Sequence, residues 1–189
     1  MVSEAQLERG SYGMRPAGPG WFVLNAREAE WQDGPFGAYT PFENTERRFA
    51  ELGINIAVLR PGEPNGYYHA ENVEEDFLVL DGECLLLVEE QERPLRRWDF
   101  VHCPPHTRHT FVGAGARPCL LLGTGNRDRA DHSVRYPVSA LARSLRAGVD
   151  RETDDPGVAY ATADPDGPVA FDPSWLPDER GEVADTRSR

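Results

Sequence analysis

Between residues 53 and 124 the chain alternates short apolar runs with turn chemistry, and this pattern constrains the fold more than any other feature. The runs span 55–60, 77–80, 83–88, 100–103, 110–112 and 119–122. Pro61-Gly62, Asp81-Gly82, a charged turn, Pro104-Pro105 and Gly113 separate them. Each run is too short for a helix that buries a face, and each is rich in Val, Leu or Phe. Such runs at near-regular intervals predict an all-β fold, an antiparallel sandwich or β-barrel. Asp81-Gly82 reads as a two-residue type I′ turn that pairs 77–80 with 84–88, because that turn needs positive φ at both central positions.

The pattern divides the chain into residues 1–52, an N-terminal arm and capping segment; 53–124, the barrel core; and 125–189, a C-terminal helix and acidic tail. Residues 1–20 carry four glycines and two prolines with no periodicity, and a first strand is expected at 21–25. Trp31, Phe36, Tyr39 and Phe42 mark a segment that packs over another surface. Tyr136-Pro137 followed by Val138, Leu141 and Leu145, with a stop at Gly148, predicts one short amphipathic helix. From Asp150 to Arg189 there are four Arg against eleven Asp and Glu, a composition that predicts a surface-lying or partly disordered tail unless Tyr160, Phe171 and Trp175 anchor it.

The formal charge of −12 argues against a nucleic-acid backbone or an anionic membrane as partner, since both would be repelled. All twenty basic residues are Arg, which removes Schiff-base and P-loop lysine chemistry. Cys84, Cys103 and Cys119 form neither a CxxC pair nor a disulfide framework, so they read as buried reduced thiols of a cytoplasmic protein. No segment approaches the roughly 20 apolar residues of a membrane span.

Four of the five histidines, His69, His102, His106 and His109, lie in the barrel region, with His132 outside it. His69 and Glu71 stand at i and i+2, so on an extended strand they share a face. Glu75 follows after a short polar interval, and His109 opens a strand on another hairpin. Ligands converging from different segments are what a metal needs. The alternation leaves open whether His102 faces in or out, and His106 falls in a rim turn. Glu74 reads as an outward salt-bridge residue. Tyr67 and Tyr68 precede the first of these residues and are candidates to line the mouth, with Arg60 and Arg108 placed to grip a substrate carboxylate.

The stretch from Gly62 through His69-Ala-Glu71-Asn-Val-Glu74-Glu75 to Gly82 resembles the first motif of the cupin superfamily, as in its small RmlC-like members. That motif is a glycine, a His-x-His pair, a glutamate and, after six residues, a glycine. The stretch Trp98-Asp99 through Pro104-Pro105-His106-Thr-Arg-His109 is similar to the second motif. The resemblance implies a jelly-roll or double-stranded β-helix, and it implies His69, Glu75 and His109 as ligands of one divalent metal. Glu71 then stands where the family has its second histidine, as a fourth ligand, as a hydrogen-bond acceptor or as the catalytic base. Trp98 and Gly113 also depart from the family pattern, at the first glycine and closing asparagine of the second motif.

Two imidazoles with one or two carboxylates suit Fe, Zn, Mn or Ni. The expectation is a metal-dependent enzyme on a small polar metabolite, a dioxygenase with Fe(II) or an isomerase or lyase with Zn(II) or Mn(II). The alternative is a non-catalytic small-molecule binder or sensor. Apolar residues on both faces of 77–80 and 84–88 point to a covered outer surface and a homodimer.

Overall fold

The computed structural model describes residues 1–43, 48–127 and 130–176. The strands in chain order are β1 (Leu7–Arg9), β2 (Met14–Pro16), β3 (Trp31–Gly34), β4 (Gly37–Thr40), β5 (Leu52–Leu59), β6 (Ala70–Glu71), β7 (Glu75–Asp81), β8 (Glu83–Val88), β9 (Gln91–Arg96), β10 (Phe100–Cys103), β11 (His109–Ala114), β12 (Cys119–Asn126), β13 (Val134–Arg135) and β14 (Gly167–Val169). Two short helices, α1 (Ala140–Ser144) and α2 (Pro156–Ala159), lie near the C-terminus. A seven-stranded antiparallel sheet in the order β10-β7-β12-β5-β4-β3-β14 faces a three-stranded sheet in the order β11-β8-β9. This is the jelly-roll form of the all-β fold, two facing sheets rather than a closed barrel. No helix among the described residues is long and apolar enough to cross a membrane.

Strand alternation explains the core. Leu59, Phe77, Val79, Cys103, Cys119 and Leu121 on the large sheet meet Cys84, Leu86 and Phe111 on the small one, and all are buried. The intervening residues face outward. On the large sheet Val58 and Leu120 are covered by Trp31 and Trp175. On the small sheet Leu87 and Val112 pack with Tyr68 under Ala142 and Ala147. The three cysteines are buried and free.

Four expectations are corrected. Asp81-Gly82 does not close a hairpin: β7 pairs with β10 and β12, whereas β8 pairs with β9 and β11. The chain crosses from one sheet to the other there, and only Gly82 has positive φ, 75°. A Cβ at Gly82 would lie 2.4 Å from the Pro118 carbonyl oxygen, so the corner requires glycine. The turn with two left-handed residues falls instead at Glu89 (φ 48°) and Glu90 (φ 60°), between β8 and β9. That strain is offset by specific contacts. Glu89 Oε1 accepts from the Arg108 amide at 2.8 Å, the Glu90 amide donates to the Tyr68 hydroxyl at 3.1 Å, and Glu90 Oε2 accepts from Ser139 Oγ at 3.0 Å.

Residues 21–25 form no strand. Trp21 makes a single bridge to Glu4, and both Trp21 and Val23 are exposed. Residues 1–20 contain the β1–β2 hairpin in place of a loose arm. The C-terminal helix begins at Ala140, later than Pro137, because the Ser139 side chain accepts from the Ala142 amide and caps it there. The acidic segment is built into the fold as far as Leu176: β14 pairs with β3, and the Trp175 ring sits 5.1 Å from Trp31 and 5.7 Å from Phe171. Residues 177–189 of the expected tail lie outside the described residues.

Trp175→Ala is expected to cost about 3 kcal/mol, the order found for removing a buried aromatic ring. Urea denaturation followed by circular dichroism measures it. A loss below about 0.5 kcal/mol would mean that the segment merely rests on the sheet.

Candidate metal centre

The site grows from one backbone pairing. The His69 amide donates to the His109 carbonyl at 3.1 Å and the His109 amide returns the bond at 2.8 Å, so the two residues oppose each other directly. Directly opposed residues share a face. Their rings stand 5.1 Å apart, centroid to centroid. Each ring is oriented by a carbonyl two residues back: His69 Nδ1 donates to Tyr67 O at 2.7 Å and His109 Nδ1 to Thr107 O at 3.0 Å. A carbonyl has no proton to give, so both Nδ1 atoms carry hydrogen and both neutral rings offer their Nε2 lone pairs.

Glu75, the first residue of β7, completes the set. Its Oε2 lies 3.6 Å from His109 Nε2, and ligand atoms of His69, Glu75 and His109 all fall within 4.8 Å of one another. These three residues can hold a metal ion. Phe77 and Phe111 lie beside His109, with ring centroids 5.2 and 6.0 Å from its imidazole.

Burial among these rings decides the protonation states. The Glu75 carboxyl is pushed up to about 8, first by loss of solvent and then by the charge of Glu71. His109 is pushed down to about 4, first by burial and then by His69, and His69 is lowered by burial. Without a cation, the site therefore favours neutral imidazoles over a protonated carboxyl. This fits a metal site, because a divalent ion would replace the Glu75 proton while both imidazoles already stand unprotonated.

Glu71 falls outside the triad. Its Oε1 comes to 4.0 Å from His69 Nε2, while its Oε2 accepts from His132 Nε2 at 2.8 Å. His132 had no sequence signal beyond its residue type, since it lies outside both motifs. Tyr136 and Tyr160 were missed for the same reason: the Tyr136 ring is 5.8 Å from His69, and its phenol hydrogen bonds to Tyr160.

The expected substrate-binding residues lie elsewhere. Tyr68 points away from the triad because it alternates with His69, and it is 1% exposed in the cluster under α1. The Arg60 guanidinium is held by Asp33 at 2.7 Å and Glu63 at 3.1 Å, and it lies over the Trp175 ring. Arg108 pairs with Glu89; with His106, His132 and Arg135 it lines an open pocket on the outer side of β6. His102 faces outward and bonds Asp76 at 2.7 Å. Glu74 is exposed.

The cupin domain model matches residues 55–124. Those residues form a cupin domain. No protein of curated function matches the sequence. Among solved structures, a protein assigned as a sugar phosphate isomerase from Acidithiobacillus ferrooxidans is 30% identical over 44% of this chain and 55% of its own, with a TM-score of 0.41. The chain thus spans little more than half of that relative. KdgF from Halomonas sp. is 23% identical over 60% of this chain and 98% of its own, with a TM-score of 0.49. An RmlC-like cupin from Shewanella frigidimarina is 22% identical over 57% and 92%, with a TM-score of 0.47.

The opposed shifts at the centre set a pH dependence. Glu75, raised from an ordinary 4.5 to about 8, contributes stability that is present at low pH and lost as pH rises toward 8. His109, lowered from 6.5 to about 4, contributes stability that is present above 6.5 and lost as pH falls toward 4. The two slopes cancel between 4.5 and 6.5, leaving Glu75 alone above that. Metal-free protein is therefore expected to lose about 2 kcal/mol between pH 6.5 and 8, and Glu75→Gln to remove that loss. Urea titrations in a chelator across this range measure it; a parallel decline in both proteins would refute the assignment to Glu75.

Proposed function

We propose that this cupin domain holds one divalent ion, Fe, Zn, Mn or Ni, on His69, Glu75 and His109, and that it is an isomerase or lyase acting on a small polar metabolite. The observation that carries the reading is Glu71, a carboxylate beside the triad but not within it. A bound metal would supply polarisation of a substrate carbonyl or hydroxyl. Glu71 Oε1 then takes a proton from the carbon next to that group and returns it to the neighbouring atom in an isomerisation; in a lyase the leaving group departs instead. The phenyl rings beside His109 exclude water from that side.

A second reading is a dioxygenase on a small organic acid or phenolic compound. Its support is the donor set itself, since two imidazoles and one carboxylate suit Fe(II) with positions open for O₂ and substrate. Elemental analysis of freshly isolated protein comes first. Deuterium incorporation from D₂O into a panel of hydroxy- and keto-acids and sugars then tests the proton-transfer reading, and O₂ uptake by the Fe(II)-loaded protein tests the other. Glu71→Gln is expected to slow deuterium exchange at least 100-fold with metal content unchanged, whereas His109→Ala abolishes metal binding. A metabolite that binds tightly with neither exchange nor O₂ uptake would turn the reading to a sensor.

The homodimer and the cytoplasmic location belong to the same proposal. Free buried thiols support the location. The dimer is supported by the outer face of the large sheet, where Phe100, Leu78, Leu122 and Ile56 pair across four strands in one apolar row. Phe100 and the nearby Trp98 are each 64% exposed. Phe100→Glu is expected to shift the protein to monomer mass in sedimentation equilibrium. A wild-type protein already monomeric across the concentration range would count against the dimer.

A further inference from the structure

Glu71 shares its strand face with His69, and one of its oxygens stands 4.0 Å from His69 Nε2, yet the carboxylate is turned toward His132. Its neighbours explain why. The amide of Asn72 brackets His132 on both sides: Nδ2 donates to the Asp131 carbonyl at 2.8 Å, and Oδ1 accepts from the Ser133 amide at 2.9 Å. The backbone completes the clamp, with the Asn72 amide donating to Ser133 O at 3.1 Å and β13 pairing with β6 so that Val134 opposes Glu71. Asn72 is 9% exposed, a nearly buried amide whose side-chain hydrogen bonds flank one histidine. A surface ion pair formed by chance would not have such a support. The His132 ring, by contrast, remains two-fifths exposed, so apolar packing does not hold it.

We propose that His132 is a positioning residue that keeps the Glu71 carboxylate out of the metal's ligand set and so preserves it as a base. The proposal rests on the reading that His69, Glu75 and His109 hold a metal and that Glu71 accepts the substrate proton. His132 holds Oε2 while Oε1 stands 4.0 Å from His69 Nε2, and a carboxylate drawn further toward the triad strains or loses that charge-assisted hydrogen bond, which disfavours ligation by roughly ten- to a hundred-fold. Without His132 the same side chain is a flexible anion close to the His69 imidazole nitrogen, and it becomes a fourth ligand. The choice between three and four protein ligands is then made by a residue 61 positions away in the chain.

Cobalt(II) substitution tests this, because the intensity of its visible bands reports coordination number. His132→Ala is expected to change the cobalt spectrum and to tighten cobalt binding several-fold. His132→Gln, whose amide can still donate, is expected to keep the wild-type spectrum. Asn72→Ala should move it part of the way, and His132→Ala combined with Glu71→Gln should restore it. Circular dichroism checks that each variant is folded. A His132→Ala protein with the wild-type spectrum and affinity overturns the proposal and leaves the metal site standing. Failure of every variant and the wild type to bind cobalt overturns the metal reading, and this inference falls with it. In the metal-free protein, the ring nitrogen shifts of His132 should move on Glu71→Gln; unchanged shifts would deny the contact itself.

Discussion

The reciprocal backbone bond between His69 and His109 is the constraint on which the rest of the site depends. It joins the segment leading into β6 to the first residue of β11, and it decides which side chains face the interior. Because side chains alternate along both segments, the neighbours Tyr68 and Thr110 are sent to the opposite side. There they lock the pair from behind: Thr110 Oγ1 donates to the Gly66 carbonyl at 2.8 Å, and Tyr68 is buried under α1. A slip of one residue would exchange the two histidines for a tyrosine and a threonine. Packing on the outer face of the small sheet therefore protects the register of the inner one.

That register creates an electrostatic conflict which the fold tolerates. Two imidazoles and a carboxyl are held close to Phe77 and Phe111, where neither the imidazolium nor the carboxylate is well solvated. A pocket selected for stability alone would fill these positions with apolar side chains. A cation would resolve the conflict, shared by the two Nε2 atoms and one carboxylate oxygen. The fixed Nδ1–H bonds mean that little ring reorientation is needed on binding.

Local chemistry made much of this legible in the sequence. The short apolar runs became strands, and the parity and motif spacing of His69, Glu75 and His109 brought them together. The same parity argument, applied one residue earlier, would have sent Tyr68 to the opposite face. The sheet partners were harder to read, because an Asp-Gly pair marks a sharp change of direction without saying whether the next strand returns beside the first or crosses to the facing sheet. The left-handed turn that did form uses Glu89 and Glu90, residues without turn propensity, and relies on contacts from Arg108, Tyr68 and Ser139. Such contacts are long-range and leave no local signature. His132, Tyr136 and Tyr160 went unread as neighbours of the site for that reason, whereas the aromatic residues Tyr160, Phe171 and Trp175 stood out as possible anchors within the acidic composition after Asp150.

The segments flanking the matched cupin region are structural parts of the site. Tyr67 shows how directly they act. Its carbonyl orients the His69 ring, and its amide donates to the Tyr160 hydroxyl at 3.0 Å, so one peptide segment carries both the orientation of that imidazole and the latch of the C-terminal chain. Gly66 makes room for this contact: a Cβ there would lie 3.1 Å from the Tyr160 oxygen. The Tyr160 ring packs against Tyr67 at 4.8 Å and edge-on to Tyr136 at 5.8 Å, and Tyr136 in turn lies beside His69. Displacing Tyr160 would therefore disturb His69 through its backbone with no triad residue altered. The triad is what this chain has in common with the family motif. The groups that would direct its chemistry, Glu71 with His132 and the tyrosines around His69, combine one departure from that motif with residues drawn largely from beyond it.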